Sequence, residues 1–147
     1  MVTRPSKHTT FIKMAKVLSE QATCARRSVG CILVDKNNYI IGSGYNGPAH
    51  GLLHCIEYPC PGVCFDSGQA LDRCEAIHAE QNALMQCPDI NKIVIAYITT
   101  SPCMHCIKML LNTSCELIVF EQVYNDGALN LWLDSGRDFI NLGDQNV

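Results

Sequence analysis

His78, Cys103 and Cys106 offer one imidazole and two thiols, and the two cysteines are separated by two residues. Such donors suit zinc. Structural zinc sites use four protein ligands, whereas catalytic sites use three and leave a place for water. Three donors therefore read as a catalytic set. Glu80, two residues after the histidine, would sit beside that water as a proton carrier.

The ligands need helices to carry them. Residues 77–87 show a helical pattern that breaks at Cys87-Pro88-Asp89, and a second helix is expected over 103–112. His78 and Cys103 would then open successive helices. The positive ends of their dipoles would favour the thiolate form. Cys103 and Cys106, three apart, would share a helical face. Residues 93–99, apolar and β-branched, predict a buried strand between the two helices.

Elsewhere the pattern alternates strands and helices. Residues 6–22 read as a helix capped by Ser6, with Phe11, Met14, Ala15 and Leu18 as its core stripe. Residues 28–35 and 39–44 read as a hairpin turning at Lys36-Asn37-Asn38, and 117–120 as a further strand. Asp126 can cap a helix that carries Leu129, Trp132 and Leu133 on one face and ends at Gly136; Phe139-Ile140 would form a last strand. The order predicts one mixed sheet with helices on both faces and its later strands parallel. Its ligand site is expected outside the carboxyl ends of the strands. Residues 47–76 show no sustained periodicity, and metal could tie that stretch down.

The 147 residues are expected to form a single domain, and 48% hydrophobic residues argue against disorder. No apolar run is long enough to cross a bilayer. The start of the chain has no secretory pattern, which predicts a cytoplasmic protein. Lys and Arg total 11 against 14 Asp and Glu, a net charge of −3. Binding to a nucleic acid polymer calls for a basic stripe, so a small nucleotide is the better partner. Ten cysteines would suggest disulfides in a secreted chain. Here metal ligation accounts for some of them, while Cys31 and Cys115, in apolar runs, read as small hydrophobes.

The order His78-Ala79-Glu80 followed by Pro102-Cys103-Met104-His105-Cys106 is the signature of zinc-dependent nucleobase deaminases. With Gly44-Tyr45-Asn46-Gly47, Gln81-Asn82-Ala83, Ser101, Tyr124 and Asp126, the sequence resembles the deoxycytidylate deaminase branch of the cytidine deaminase-like superfamily over about residues 8–140. The resemblance implies a three-layer α/β/α fold with a five-stranded mixed sheet. It implies hydrolysis of dCMP to dUMP, with Glu80 moving protons to N3 and to the departing ammonia. It also implies a homo-oligomer, a hexamer, activated by dCTP and inhibited by dTTP. The regulatory nucleotide, with Mg²⁺, would lie near Gly44, Tyr45, Asn46 and Gly47. Asn46 would approach the deoxyribose, and backbone groups of Ala79 and Ser101 would read the cytosine edge.

Some relatives carry a second, structural zinc. The matching residues are Cys24 and Cys55, joined by Cys60, Cys64, Cys74 or His54; the alternative is that these are free thiols. Arg26 and Arg27 read either as a clamp for the 5′-phosphate or as a solvated helix end. Tyr124 could stack on a base or simply pack. Two competing functions remain in view. One is another zinc-dependent deaminase, acting on a nucleoside, guanine or tRNA adenosine. The other is a non-catalytic zinc scaffold, in which Glu80 would have no use.

Overall fold

The computed structural model describes residues 3–59 and 75–143. Helix α1 (Lys7–Ser19) comes first, and the Ser6 hydroxyl accepts from the Thr9 N–H, the capping geometry expected of a serine there. Strands β1 (Gly30–Val34) and β2 (Ile40–Tyr45) form the predicted antiparallel hairpin. Two short strands follow, β3 (Gly47–Pro48) and β4 (Ala76–Ile77), paired antiparallel. Helix α2 (Ala79–Gln86), strand β5 (Ile95–Ile98), helix α3 (Met104–Leu111), strand β6 (Leu117–Phe120), helix α4 (Ala128–Asp134) and strand β7 (Asp138–Asn141) complete the order.

The main sheet has five strands in the order β2-β1-β5-β6-β7. β1 runs antiparallel to both of its neighbours, while β5, β6 and β7 run parallel. Strand alternation decides which side chain meets which helix. Ile32, Val34, Tyr97 and Val119 face α1, packing with Phe11, Ile12 and Ala15. Cys31, Leu33, Ala96, Ile98, Ile118 and Phe120 face the other way, onto a core with Ala83 of α2, Ile107 and Leu110 of α3 and Trp132 of α4. The result is the three-layer arrangement: one helix, the sheet, three helices.

Close backbone contacts require glycine at several positions, two of which set the helices on the sheet. A Cβ on Gly30 would overlap the Ala15 carbonyl, and one on Gly44 would lie 2.6 Å from the Ala79 carbonyl oxygen. Helices α1 and α2 therefore lie directly on strand backbone.

Two expectations need correction. Met14 is 38% exposed, so it lies outside the core, and the fully buried Ile12 takes that place on α1. Leu133 is likewise exposed, and only Trp132 of that trio is fully buried. The N-cap position of α4 is Gly127 in a left-handed conformation (φ 82°), and the capping bond comes, as expected, from Asp126 one residue earlier, whose Oδ1 accepts from the Ala128 N–H at 3.0 Å. Gly136 does end α4, with φ 87°.

Candidate functional site

His78 is the N-cap of α2 and Cys103 the N-cap of α3. Both helices start at the carboxyl-terminal edge of the parallel strands, so the two positive helix ends converge. Nδ1 of His78 lies 3.4 Å from Sγ of Cys103 and 3.3 Å from Sγ of Cys106. The three donor atoms all fall within 4.8 Å of one another. Tetrahedral zinc, with bonds of about 2.3 Å to sulfur and about 2.0 Å to nitrogen, spaces its donors roughly 3.5 Å apart. The donor set therefore fits a single Zn²⁺ held through Nδ1 and both sulfurs. His105, between the cysteines, is exposed and outside the group.

The electrostatics follow from this packing. The hydrogen bond from Cys106, helped by His78, holds the Cys103 thiol down at about 3. The same bond, with burial and the Glu80 carboxyl, pushes Cys106 far up. The pair thus sheds one proton readily and keeps the second between its sulfurs. A divalent cation among the donors would displace that proton too. The hydrogen bond to Cys103 raises His78 against the opposing effect of burial. Glu80 is 4% exposed, and burial lifts its carboxyl above the usual range. Its side chain bonds to Cys106, so it points into the donor cluster.

The cleft above these groups is lined by Arg26, Arg27, Asn46, His78, Ala79 and Glu80. Asn46 explains how the first two residues get there. Its Nδ2 donates to the Arg27 carbonyl at 2.9 Å, and its Oδ1 accepts from the Val29 N–H at 2.8 Å. The arginine loop is pinned by one buried amide. The pairing of Gly47 with Ile77 then lays that segment beside His78. The Arg27 guanidinium carbon sits 5.2 Å from the centre of the Tyr124 ring, a cation–π contact. Tyr124 itself is held by Ser101, whose hydroxyl accepts from the Tyr124 N–H at 2.7 Å and donates to its carbonyl at 3.3 Å. The Ser101 N–H donates to the Gln122 carbonyl, so that backbone donor is already used.

The Gly44–Gly47 segment is divided between two places. Asn46 faces the cleft, whereas Gly44, Tyr45 and Gly47 line a separate groove of about 600 Å³ with His50, His54 and Asn82. Of the residues considered for a second metal, Cys24 and Cys55 are buried and not in a disulfide, and His54 is hydrogen-bonded to the Thr23 hydroxyl. Among the described residues they form no three-donor group; Cys60, Cys64 and Cys74 lie outside the described residues. The role of Gln81, named above only as part of the motif, was not anticipated. Its Oε1 accepts from the His78 N–H at 2.9 Å. The spacing of a cap and a glutamine three residues later was the available signal.

A model of the cytidine and deoxycytidylate deaminase zinc-binding region matches residues 5–122. The chain belongs to this family. The deoxycytidylate deaminase of Schizosaccharomyces pombe is 34% identical over 126 residues, which is 83% of this chain and 39% of the yeast protein. That of Saccharomyces cerevisiae is 31% identical over 123 residues, again 39% of its length, so the chain spans about two fifths of these relatives. The deoxycytidylate deaminase of Mycobacterium phage D29 is 32% identical over 126 residues, 81% of this chain and 97% of the phage protein. Among solved structures, the dCMP deaminase of cyanophage S-TIM5 superposes with a TM-score of 0.74 at 24% identity, covering 95% of this chain and 99% of its own. That protein has also been solved in complex with dCMP and dUMP. The shared fold is the deaminase family's three-layer sheet.

Proposed function

We propose that this deaminase-family chain hydrolyses dCMP to dUMP. The observation that carries the reading is the buried Glu80 carboxyl turned onto an open His78–Cys103–Cys106 set. A purely structural zinc site has no use for such a group. The choice of dCMP draws on the deoxycytidylate deaminases of yeasts and phage that the chain resembles.

His78, Cys103 and Cys106 would hold Zn²⁺, which supplies Lewis-acid activation of water when bound. Glu80, with its carboxyl raised by burial, holds a proton more readily than an exposed carboxylate, which suits a group that must both accept and return one. It takes a proton from the water whose oxygen adds to C4 of the ring and delivers one to N3. A second transfer goes to the amino group, which leaves as ammonia as the C4 carbonyl forms. Water and cytosine become ammonia and uracil, and Glu80 returns to its starting state. The wall of Ala79 and Asn46 confines the ring and sugar, and the Ser101 carbonyl is the backbone group left to meet a cytosine amine. Arg26 and Arg27 supply positive charge at the mouth, where a 5′-phosphate would lie.

The groove beside Gly44, Tyr45 and Gly47 is the natural place for a regulatory dNTP with Mg²⁺, dCTP activating and dTTP inhibiting. A cytoplasmic homo-oligomer, a hexamer, belongs to the same reading. The decisive test is Glu80→Gln. It should retain one zinc per cleft and a folded spectrum while losing turnover of dCMP by roughly 10²–10⁴-fold. Retained activity, or a preference for guanine or deoxycytidine over dCMP in the unsubstituted protein, would overturn the reading.

A further inference from the structure

A helix normally satisfies its first orphan N–H groups with the side chain of its N-cap residue. Helices α3 and α4 cannot do this. The N-cap of α3 is Cys103, whose sulfur is turned to His78 and makes no capping bond. The N-cap of α4 is Gly127, which has no side chain. One carboxylate serves both. Oδ2 of Asp126 accepts from the Met104 N–H at 2.8 Å, and Oδ1 accepts from the Ala128 N–H at 3.0 Å. Met104 directly follows Cys103 and precedes Cys106 by two residues, so the bond fixes the backbone between the two thiols. Asp126 reaches it from the loop that follows β6, 22 residues along the chain.

We propose that Asp126 is a positioning residue for the metal site. It acts as a borrowed cap that sets the spacing and direction of the Cys103 and Cys106 sulfurs, because committing Cys103 to the metal leaves α3 without a cap of its own. The proposal rests on reading His78, Cys103 and Cys106 as a zinc site and is independent of the substrate. Gln81 holds the backbone of His78 in a comparable way at the start of α2. Both ligand-bearing helix starts are therefore supported by a side chain other than the ligand's own. The two differ in origin: Gln81 is local, whereas Asp126 ties the site to α4.

The test compares the zinc-loaded protein with Asp126→Ala, Asp126→Asn and Arg137→Ala. Arg137 is the control for mere helix stability. Its guanidinium caps the other end of α3, donating to the Leu110 and Leu111 carbonyls at 3.0 Å each. Zinc release to a chromophoric chelator gives the affinity, and Co²⁺ substitution gives the thiolate-to-cobalt absorption that reports sulfur geometry. Loss of a partner that orients metal ligands typically costs 10–100-fold in metal affinity. Asp126→Ala is expected to lose roughly 10-fold or more in zinc affinity, with a shifted cobalt spectrum. Asp126→Asn, with one acceptor oxygen for two N–H groups, should fall between Ala and the parent. Arg137→Ala should lower the melting temperature and leave both metal readouts unchanged. Unaltered affinity and spectrum in Asp126→Ala, or an equal metal defect in Arg137→Ala, would overturn the proposal. Should Asp126→Ala fail to fold, Asp126→Asn with parental metal affinity and spectrum would overturn it alone. Failure of the unsubstituted protein to take up zinc would instead sink the reading of the site itself.

Discussion

Gly44 and Ala79 meet backbone to backbone: a methyl group added to Gly44 would lie 2.6 Å from the Ala79 carbonyl oxygen and 2.7 Å from the Ala83 nitrogen. Ala79 is the first residue of α2, between the proposed ligand His78 and the proposed acid–base Glu80. The glycine therefore sets how closely α2 lies on β2, whatever the groove beside it binds.

Gly44→Ala should push α2 outward and shift His78 and Glu80 together. Overpacking of this kind costs about 1–3 kcal/mol. Chemical denaturation should register that loss, and zinc affinity should fall with it. Parental stability and zinc binding in the variant would show that the sheet yields without moving the helix.

Zinc should stabilise the fold, because its three donors come from α2 and α3, which are joined through β5. A ligand at 100 times its dissociation constant adds about 2.7 kcal/mol. Chelation should lower the melting temperature, and His78→Ala should remove the dependence on added zinc. An unchanged melting temperature with and without metal would contradict the assignment.

Arg27→Ala removes a cation that is held over Tyr124 at 5.2 Å and anchored through its carbonyl by Asn46. A charge-assisted bond to phosphate is worth about 1.5–3 kcal/mol. The variant should lose roughly 10–100-fold in kcat/KM for dCMP while deoxycytidine turnover changes little. Equal losses on both substrates would assign Arg27 to holding the loop, not the phosphate.

Tyr97 gives a pH signature away from the site. Burial pushes its phenol from the ordinary value of 10.0 to about 12, and its hydroxyl bonds to Nδ1 of His8 at 2.9 Å. Between those values the unfolded chain ionises first and binds fewer protons, so stability falls as pH rises. Tyr97→Phe should be slightly less stable near neutrality, having lost one bond, and should decline less steeply above pH 10. Parallel declines in urea titrations of the two proteins would exclude Tyr97 as the source.

Much of the site could be read before any coordinates. His78, Glu80, Cys103 and Cys106 stand in a short, ordered pattern whose chemistry depends on residue type and local spacing alone. The hairpin and the alternating elements after it could be read as well, because period-two and period-3.6 burial leave direct traces in the sequence. Met14 misled because a helical stripe gives the direction of a face but not how far the neighbouring layer extends over it. The pairing of Gly47 with Ile77 left no trace, since two-residue strands carry no periodicity.

The identity of the donors was thus fixed by sequence, since a thiol, an imidazole and a carboxyl keep their chemistry wherever they are placed. Tertiary structure decided what holds them. Asn46 spends its amide on the arginine loop, Ser101 spends its hydroxyl on Tyr124, and Asp126 caps a helix it does not belong to. Hydrogen bonds between residues 17 to 23 positions apart depend on where the layers bring the chain back on itself. Local spacing cannot encode that distance.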